Sequence, residues 1–439
     1  MVSVKRHLFN EFIEYISFGV LSMIGVALFI LADTYFIANG IGPTAIASLN
    51  AAIPVSNLLH GTGWMIGVGG STLYSIQRGK GELELANRIF TFTIKFAAVV
   101  GVGLSILLYL FNEPLLRFFG ASDTTFMMAQ DYYLIHVIYG TFFILSNTFV
   151  SFVRNDGNPR LATIALLTGG FFNIVLDYIF IYLFGWGMAG ASFATILSPA
   201  ITLAVLTIHL HYSKRRLHFE SFNFEVGRIL NIISIGFSSF FNEISTAIVI
   251  VIFNLAMLTM IGDIGVASYG IVANINLIAI LIFQGMGQGV QPLISRYSGM
   301  DNTSSVITLI NYSVVGVLAV AGLLMLVNLT LSDFIVSLFN KTDHAQMQAL
   351  AKEGLHYFSI AFLAAGLNIM VIYILAALGN AMSSMVVSLS RGLILIPIVM
   401  MLFSRYFGIT GVWSTMLVVE SLTLLLSLGF IIFFIKKQK

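Results

Sequence analysis

Apolar runs of bilayer-spanning length recur from one end of this chain to the other, and no other feature constrains its fold as strongly. A membrane span needs roughly 20 apolar residues. About twelve stretches qualify, near 12–37, 44–76, 89–111, 131–153, 161–184, 189–212, 229–258, 264–292, 305–330, 352–376, 384–404 and 409–435. Lipid offers no hydrogen-bond partner to an open backbone, so runs of this length must be helical. Charge is correspondingly thin, at 9% of residues, where a soluble domain carries about 25%. The sequence predicts an all-α integral membrane protein with about 12 transmembrane helices.

The formal charge of +2 selects no partner, but its distribution sets an orientation. Lys5, Arg6, Arg78, Lys80, Arg88, Arg154, Arg160, Lys214, Arg215, Arg216, Arg228, Arg296, Lys436, Lys437 and Lys439 fall at the two ends and in every second connection. The alternate connections hold only Arg117, Lys341, Lys352 and Arg405. The positive-inside bias therefore places both termini in the cytoplasm, as an even number of spans requires. With no cysteine, disulfides, thiolate metal sites and thiol redox chemistry are excluded.

The second half repeats the first at an offset of roughly 220 residues. Glu113-Pro-Leu-Leu-Arg-Phe-Phe-Gly-Ala-Ser-Asp123 aligns with Asp333-Phe-Ile-Val-Ser-Leu-Phe-Asn-Lys-Thr-Asp343. Gly157-Asn158 aligns with Gly379-Asn380, and Gly187-Met-Ala-Gly190 with Gly408-Ile-Thr-Gly411. The run GVGGSTLYSIQRG has its counterpart in GQGVQPLISRYSG. Each repeat holds an even number of spans, so the two share an orientation. They are expected to form two six-helix lobes related by a pseudo-two-fold along the membrane normal. The lobes are 1–212 and 229–439, joined by a polar cytoplasmic linker at 213–228 long enough to let them move.

Carboxylates inside these runs carry the functional signal, because a charge in hydrocarbon costs several kcal/mol and marks an ion or substrate path. Asp33, Asp177, Glu243 and Glu420 each occupy an apolar run. Counting inward from the outer span ends at about 1.5 Å per residue, Asp33, Asp177 and Thr195 reach one level in the outer half of the membrane. Asn173 lies one turn from Asp177 on the same face. Two carboxylates, an amide oxygen and a hydroxyl form an oxygen shell suited to a hard cation such as Na+, and equally to protons. In the second half the aligned positions are Val399 and Met416, with Phe253 or Asn254 opposite Asp33. Coupling chemistry is therefore expected in the first lobe.

Glu243, mid-span, fits an anionic partner of a cationic substrate or a second proton site. It equally fits a protonated carboxyl, or one bonded to Asn242 or Ser245. Tyr139, Asn254, Gln284 and Gln288 are polar enough to face a substrate cavity. Glu420 reads as a peripheral carboxyl reaching a neighbouring helix or a headgroup, while Glu14 and Arg391 read as snorkelling side chains. His60, His136 and His356 are titratable but read as hydrogen-bonded packing. Pro54, Pro199, Pro292 and Pro397 lie within spans as hinges or kinks. The turn RNDGNPR at Arg154–Arg160 lacks phosphate-cradling spacing, and no P-loop supports ATP-driven pumping. No catalytic motif, nucleic-acid helix or metal-ligand histidine pair appears, so neither an enzyme nor a resident cofactor is expected.

LADTYFIANGIG around Asp33, VRNDGNPRLA (Val153–Ala162), the NIVLD ending at Asp177 and GMAGASFAT (Gly187–Thr195), in this order on six-plus-six spans, resemble the multidrug and toxic compound extrusion (MATE) transporters of prokaryotes. The resemblance covers the whole chain. It implies a two-lobed antiporter in the cytoplasmic membrane that exports cationic or amphiphilic drugs by alternating access, driven by Na+ or H+. It also implies a first-lobe cation site at Asp33, Asn173, Asp177 and Thr195, with the Ala191 carbonyl as a further ligand. An acidic residue in span seven occurs in some members, where Glu243 stands here. Many members carry a proline early in span one; here Phe18 and Gly19 occupy that region. The alternative is a flippase or metabolite exporter of the wider superfamily with a lipid-like or anionic cargo. A monomer is expected, since one chain holds both lobes.

Overall fold

The computed structural model describes residues 2–211, 217–221, 226–339 and 344–438. Lys214, Arg215, Arg216, Lys341 and Lys439, used above for orientation, lie outside the described residues, as do the side chains of Lys436 and Lys437. Parts of the 213–228 linker and of the Asp333–Asp343 repeat lie outside them too.

The regular structure of the described residues is entirely helical. The helices are α1 (Val2–Gly40), α2 (Pro43–Gly79), α3 (Leu83–Leu110), α4 (Asn112–Phe118), α5 (Phe126–Ile138), α6 (Gly140–Asn155), α7 (Pro159–Asp177) and α8 (Gly187–Thr207). There follow α9 (Val226–Met260), α10 (Asp263–Gly299), α11 (Thr303–Thr330), α12 (Ser332–Phe339), α13 (Ala345–Ala377), α14 (Ala381–Leu389) and α15 (Leu395–Gln438). Two segments adopt the wider π turn, Tyr178–Leu183 directly after Asp177 and Ser390–Ile394 around Arg391.

Among the described residues, 9 helices are long and apolar enough to cross a membrane, or 10 when α5 and α6, bent by 52° at Tyr139, count as one span. The other two of the twelve expected spans escape that test for physical reasons. Serine, asparagine, histidine and glycine dilute α2, which packs against α3, α5 and α6. The 53-residue run starting at Ala381 holds two spans, divided at Gly408. Gly408 has φ 61° and ψ −137°, a backbone shape that a side chain would resist.

The chain packs as two compact units: Ser17–Ile244 with Ser295–Asn302, and Met1–Ile16 with Ser245–Ile294 and Thr303–Lys439. They are called here the first and second unit, and their limits fall inside α1, α9 and α10. The first unit has an apolar core that includes Ile37, Leu59, Tyr133, Ile144, Met188 and Ile232. In the second, Phe253 stacks on Tyr269 at 5.0 Å, and Phe358 and Trp413 close the same nest. Of the aligned counterparts of the first-lobe polar residues, Phe253, Val399 and Met416 are buried, and Asn254, the alternative to Phe253, is half-buried.

The described part of the linker is docked on α3. Leu217 is fully buried, and Phe219 packs on Phe90 with ring centres 5.0 Å apart. The backbone N–H groups of His218 and Glu220 donate to Asn87 Oδ1 (3.0 Å) and Thr91 Oγ1 (2.8 Å). Side chains of α3 thus satisfy the backbone of this segment.

Candidate functional site: a buried carboxyl pair in the first unit

The run Thr168-Gly169-Gly170 explains how three helices meet at the acidic residues. A Cβ on Gly169 would lie 2.2 Å from Thr202 Oγ1 and 2.7 Å from the Ser198 carbonyl of α8. One on Gly170 would lie 3.1 Å from the Phe29 ring of α1. Two bare positions therefore let α7 seat α8 and α1 together, close packing of the kind that draws membrane helices to one another. The next turns of α7 carry Asn173 and Asp177 on the side that brings them to this junction.

Asn173 and Asp177 are fully buried. Asp33 of α1 and Asp177 face one another at interacting distance. Yet no donor completes either Asp177 oxygen or Asp33 Oδ1, and both Asn173 side-chain atoms are also unpartnered. Buried polar atoms are nearly always satisfied, so five orphans on three residues set this junction apart from the rest of the first unit. Thr195 donates its hydroxyl to the Ala191 carbonyl at 2.9 Å.

Tyr132 of α5 completes the site. Its hydroxyl reaches Thr195, and its ring lies within electrostatic range of both carboxyls. Ser192 donates to the Tyr132 carbonyl at 2.7 Å, fixing α5 on α8. Depth counting could have found it, because Tyr132 lies six residues inside the start of α5, as Asp33 does from the outer end of its span. The donors are all oxygens apart from the Asn173 amide nitrogen. Among the described residues no three or more His, Cys, Asp or Glu cluster in a metal-binding group. The set fits a weakly held hard monovalent cation or protons.

The remaining candidates are distributed between the units. In the first, Glu243 of α9 lies against Gly61 of α2, 3.5 Å from where a Gly61 Cβ would stand. Tyr139 sits at the α5–α6 bend and is 41% exposed. In the second, Gln284 and Gln288 are buried one turn apart on α10, and Asn254 is half-buried on α9.

Two expectations are corrected in the second unit. Glu420 is not peripheral and Arg391 does not snorkel. Glu420 is fully buried; its Oε1 accepts from Arg391 Nε at 2.6 Å and its Oε2 from Asn368 Nδ2 at 2.8 Å. Ser427 donates in turn to Asn368 Oδ1 at 2.8 Å. The partners are 29 residues apart on different helices, and pairing removes the reason for either to seek water.

The RNDGNPR turn is an anchor of the first unit. Asp156 accepts from Tyr74 (2.7 Å) and Arg78 (2.9 Å) at one oxygen and from His209 Nε2 (2.8 Å) at the other. Burial alone would push its carboxyl up. The His209 hydrogen bond, the Arg78 charge and the Tyr74 hydroxyl outweigh that and hold it below its ordinary value. Asn158 caps α7 by accepting from the Leu161 N–H at 3.0 Å.

Helices of this number and order, with a carboxyl pair on α1 and α7, define a polytopic membrane transporter. A sequence model of the MatE family matches residues 20–179 and 235–401, and the chain belongs to that family. It is 26% identical over 426 residues to the multidrug export protein MepA of Staphylococcus haemolyticus, covering 96% of this chain and 93% of that protein. Its fold is similar to that of a multidrug resistance MATE family transporter of the MOP superfamily, whose structure is described as outward-facing, with a TM-score of 0.92 at 20% identity over 98% and 96% of the two chains. It also matches a MOP superfamily transporter from Pyrococcus furiosus, described as having a binding pocket of reverse polarity, with a TM-score of 0.91 at 20% identity over the same shares.

Proposed function

We propose that this protein is a secondary antiporter of a prokaryotic cytoplasmic membrane. It exports cationic or amphiphilic compounds in exchange for Na+ or H+ bound at Asp33, Asn173, Asp177 and Thr195, and works as a single chain with both termini in the cytoplasm. The observation that carries this reading is the carboxyl pair, Asp177 buried and Asp33 half-buried, with both Asp177 oxygens and Asp33 Oδ1 unpartnered and no basic partner among the described residues. The MepA relatives, named as multidrug exporters, support the cargo class. Coupling requires that cation and cargo stabilise different arrangements of the protein. Glu243 and Tyr139 in the first unit, and Asn254, Gln284 and Gln288 in the second, are candidates for contact with the cargo or for a second proton site.

The test is efflux of a cationic dye such as ethidium from proteoliposomes under a sodium gradient and a proton gradient imposed separately. Wild type should move dye under at least one gradient. Asp177→Asn should insert normally and lose coupled efflux. Full efflux by that variant would refute the reading, and no movement of dye by wild type would favour a flippase of lipid-like or anionic cargo.

A further inference from the structure

Four aromatic rings of the first unit gather beside the carboxyl pair. Tyr35 and Phe36 come from α1, Tyr178 and Tyr182 from the π segment that follows α7. Tyr178 and Tyr182 stack with centroids 5.6 Å apart and planes at 25°. The Phe36 ring stands across both, 6.4 Å from Tyr178 at 60° and 5.9 Å from Tyr182 at 75°. Tyr35 meets Phe36 edge-on at 5.9 Å. Phe36 is half-buried, whereas Tyr35, Tyr178 and Tyr182 are 62%, 50% and 43% exposed. Gly40 lets α1 close on the π segment here: a Cβ on it would lie 2.5 Å from Ile181 Cγ2 and 3.1 Å from Tyr182 Cζ.

The charge around these rings has one sign. Phe36 lies one turn from Asp33 on the same face of α1, and Tyr178 follows Asp177 directly. No lysine, arginine or histidine occurs between His7 and His60 or between Arg160 and His209. The segments that build the group therefore supply ring faces and carboxyls, and no positive charge.

We propose that these four rings form a cargo subsite for aryl-bearing organic cations. The face of an aromatic ring is negative and its edge positive, so an open face draws an organic cation. Charge on Asp33 and Asp177 adds to that pull at short range. A cation at the carboxyl pair repels a cargo cation at the rings, so each weakens the other by the same factor, which is the relation an exchanger needs. Anchoring in the lipid interface is the other use of exposed aromatics, and it falls to different residues. Phe184 and Trp186, with ring centroids 5.3 Å apart, flank the turn at Gly185 that ends the segment, where interfacial rings belong. The four rings are set deeper, level with the carboxyls. At that depth hydrocarbon offers a tyrosine hydroxyl no partner, and none of the three hydroxyls bonds to a described residue. Phenylalanine would suit lipid better there; tyrosine suits a wet, polar ligand.

The proposal rests on the antiport reading, and the experiment separates the two. Equilibrium dialysis measures binding of the cation tetraphenylphosphonium, and of the neutral triphenylphosphine oxide, to detergent-purified protein. Wild type is compared with Tyr178→Leu/Tyr182→Leu and with Tyr178→Phe/Tyr182→Phe. The leucine pair should weaken cation binding by about five- to thirtyfold, the cation–π attraction of two rings, and weaken the neutral compound less. The phenylalanine pair keeps both ring faces and should bind the cation as wild type does. If the leucine pair fails to fold, Tyr35→Leu, at the most exposed ring, is read in the same assay against a single ring's share. Cation binding unchanged on loss of the rings, or equal weakening of both compounds, would overturn the subsite and leave the antiporter standing. A wild type that binds tetraphenylphosphonium but moves no ethidium under either gradient would overturn the antiporter alone.

Discussion

Glu420 and Arg391 are the most informative pair to break. They meet at 2.6 Å in the second unit, Glu420 fully buried and Arg391 9% exposed. Removing one member of a buried pair costs about 3–5 kcal/mol, because the other charge remains. For units of about 150–250 residues each kcal/mol moves the melting temperature by about 2–4 °C, so either single variant should melt about 6–20 °C below wild type. The two should differ. Glu420→Leu strands a guanidinium that cannot shed its proton, whereas Arg391→Met leaves a carboxyl that can neutralise itself. Glu420→Leu should therefore be the worse. The double variant should recover most of the loss, because no charge remains and Asn368 Nδ2 keeps its 2.8 Å bond to the Glu420 backbone carbonyl. Thermal unfolding of detergent-solubilised protein, followed by tryptophan fluorescence, measures all four proteins. Additive losses in the double variant, or single variants within about 2 °C of wild type, would show that the pair is neither dry nor coupled.

Asp156→Asn should destabilise the protein by about 1.5–3 kcal/mol at pH 7, the contribution of hydrogen bonds to a charged group. A carboxyl held below its ordinary value of 3.8 stabilises the fold above that pH and loses this as pH falls through its folded value. The melting difference between wild type and variant should therefore close below about pH 4; a difference independent of pH would contradict the assignment. Gly236→Ala should cost about 2–3 kcal/mol, because its Cβ would stand 1.8 Å from the Met65 carbonyl oxygen of α2. Gly103→Ala, with nothing within 4 Å, is the control and should be neutral or stabilising by up to about 1 kcal/mol; equal melting of the two variants would refute the close α2–α9 contact.

The spans and the carboxyl pair were legible because lipid imposes a length and a helix a fixed rise, so depth along separate helices can be compared without knowing their packing. Asp33 and Asp177 met as that count implies. Rotation about each helix axis was not legible. Arg391 and Glu420 read as outward-facing because nothing local records a partner 29 residues away. The π turn after Asp177 was equally hidden, since Tyr178-Ile-Phe-Ile-Tyr-Leu reads as ordinary apolar helix. His136 shows a further limit: it reads as hydrogen-bonded packing, but it stacks on Tyr132 and Phe143 with both ring nitrogens unpartnered, which is visible only once every neighbour is placed. Tyr132 was within reach of the same depth argument, but tyrosine is common in such a chain.

The two units also differ in how a membrane voltage acts on them. An electric field pulls on net charge, at about 2.3 kcal/mol per elementary charge for each 100 mV crossed. Arg391 and Glu420 sum to zero, so their site is a fixed dipole that a field leaves in place. Asp33 and Asp177 have no cation built in among the described residues, and whatever neutralises them must arrive from solution. On the antiport reading proposed above, voltage would act on the first unit through its occupancy, and the electrical response of the protein would belong to its ligands as much as to its chain.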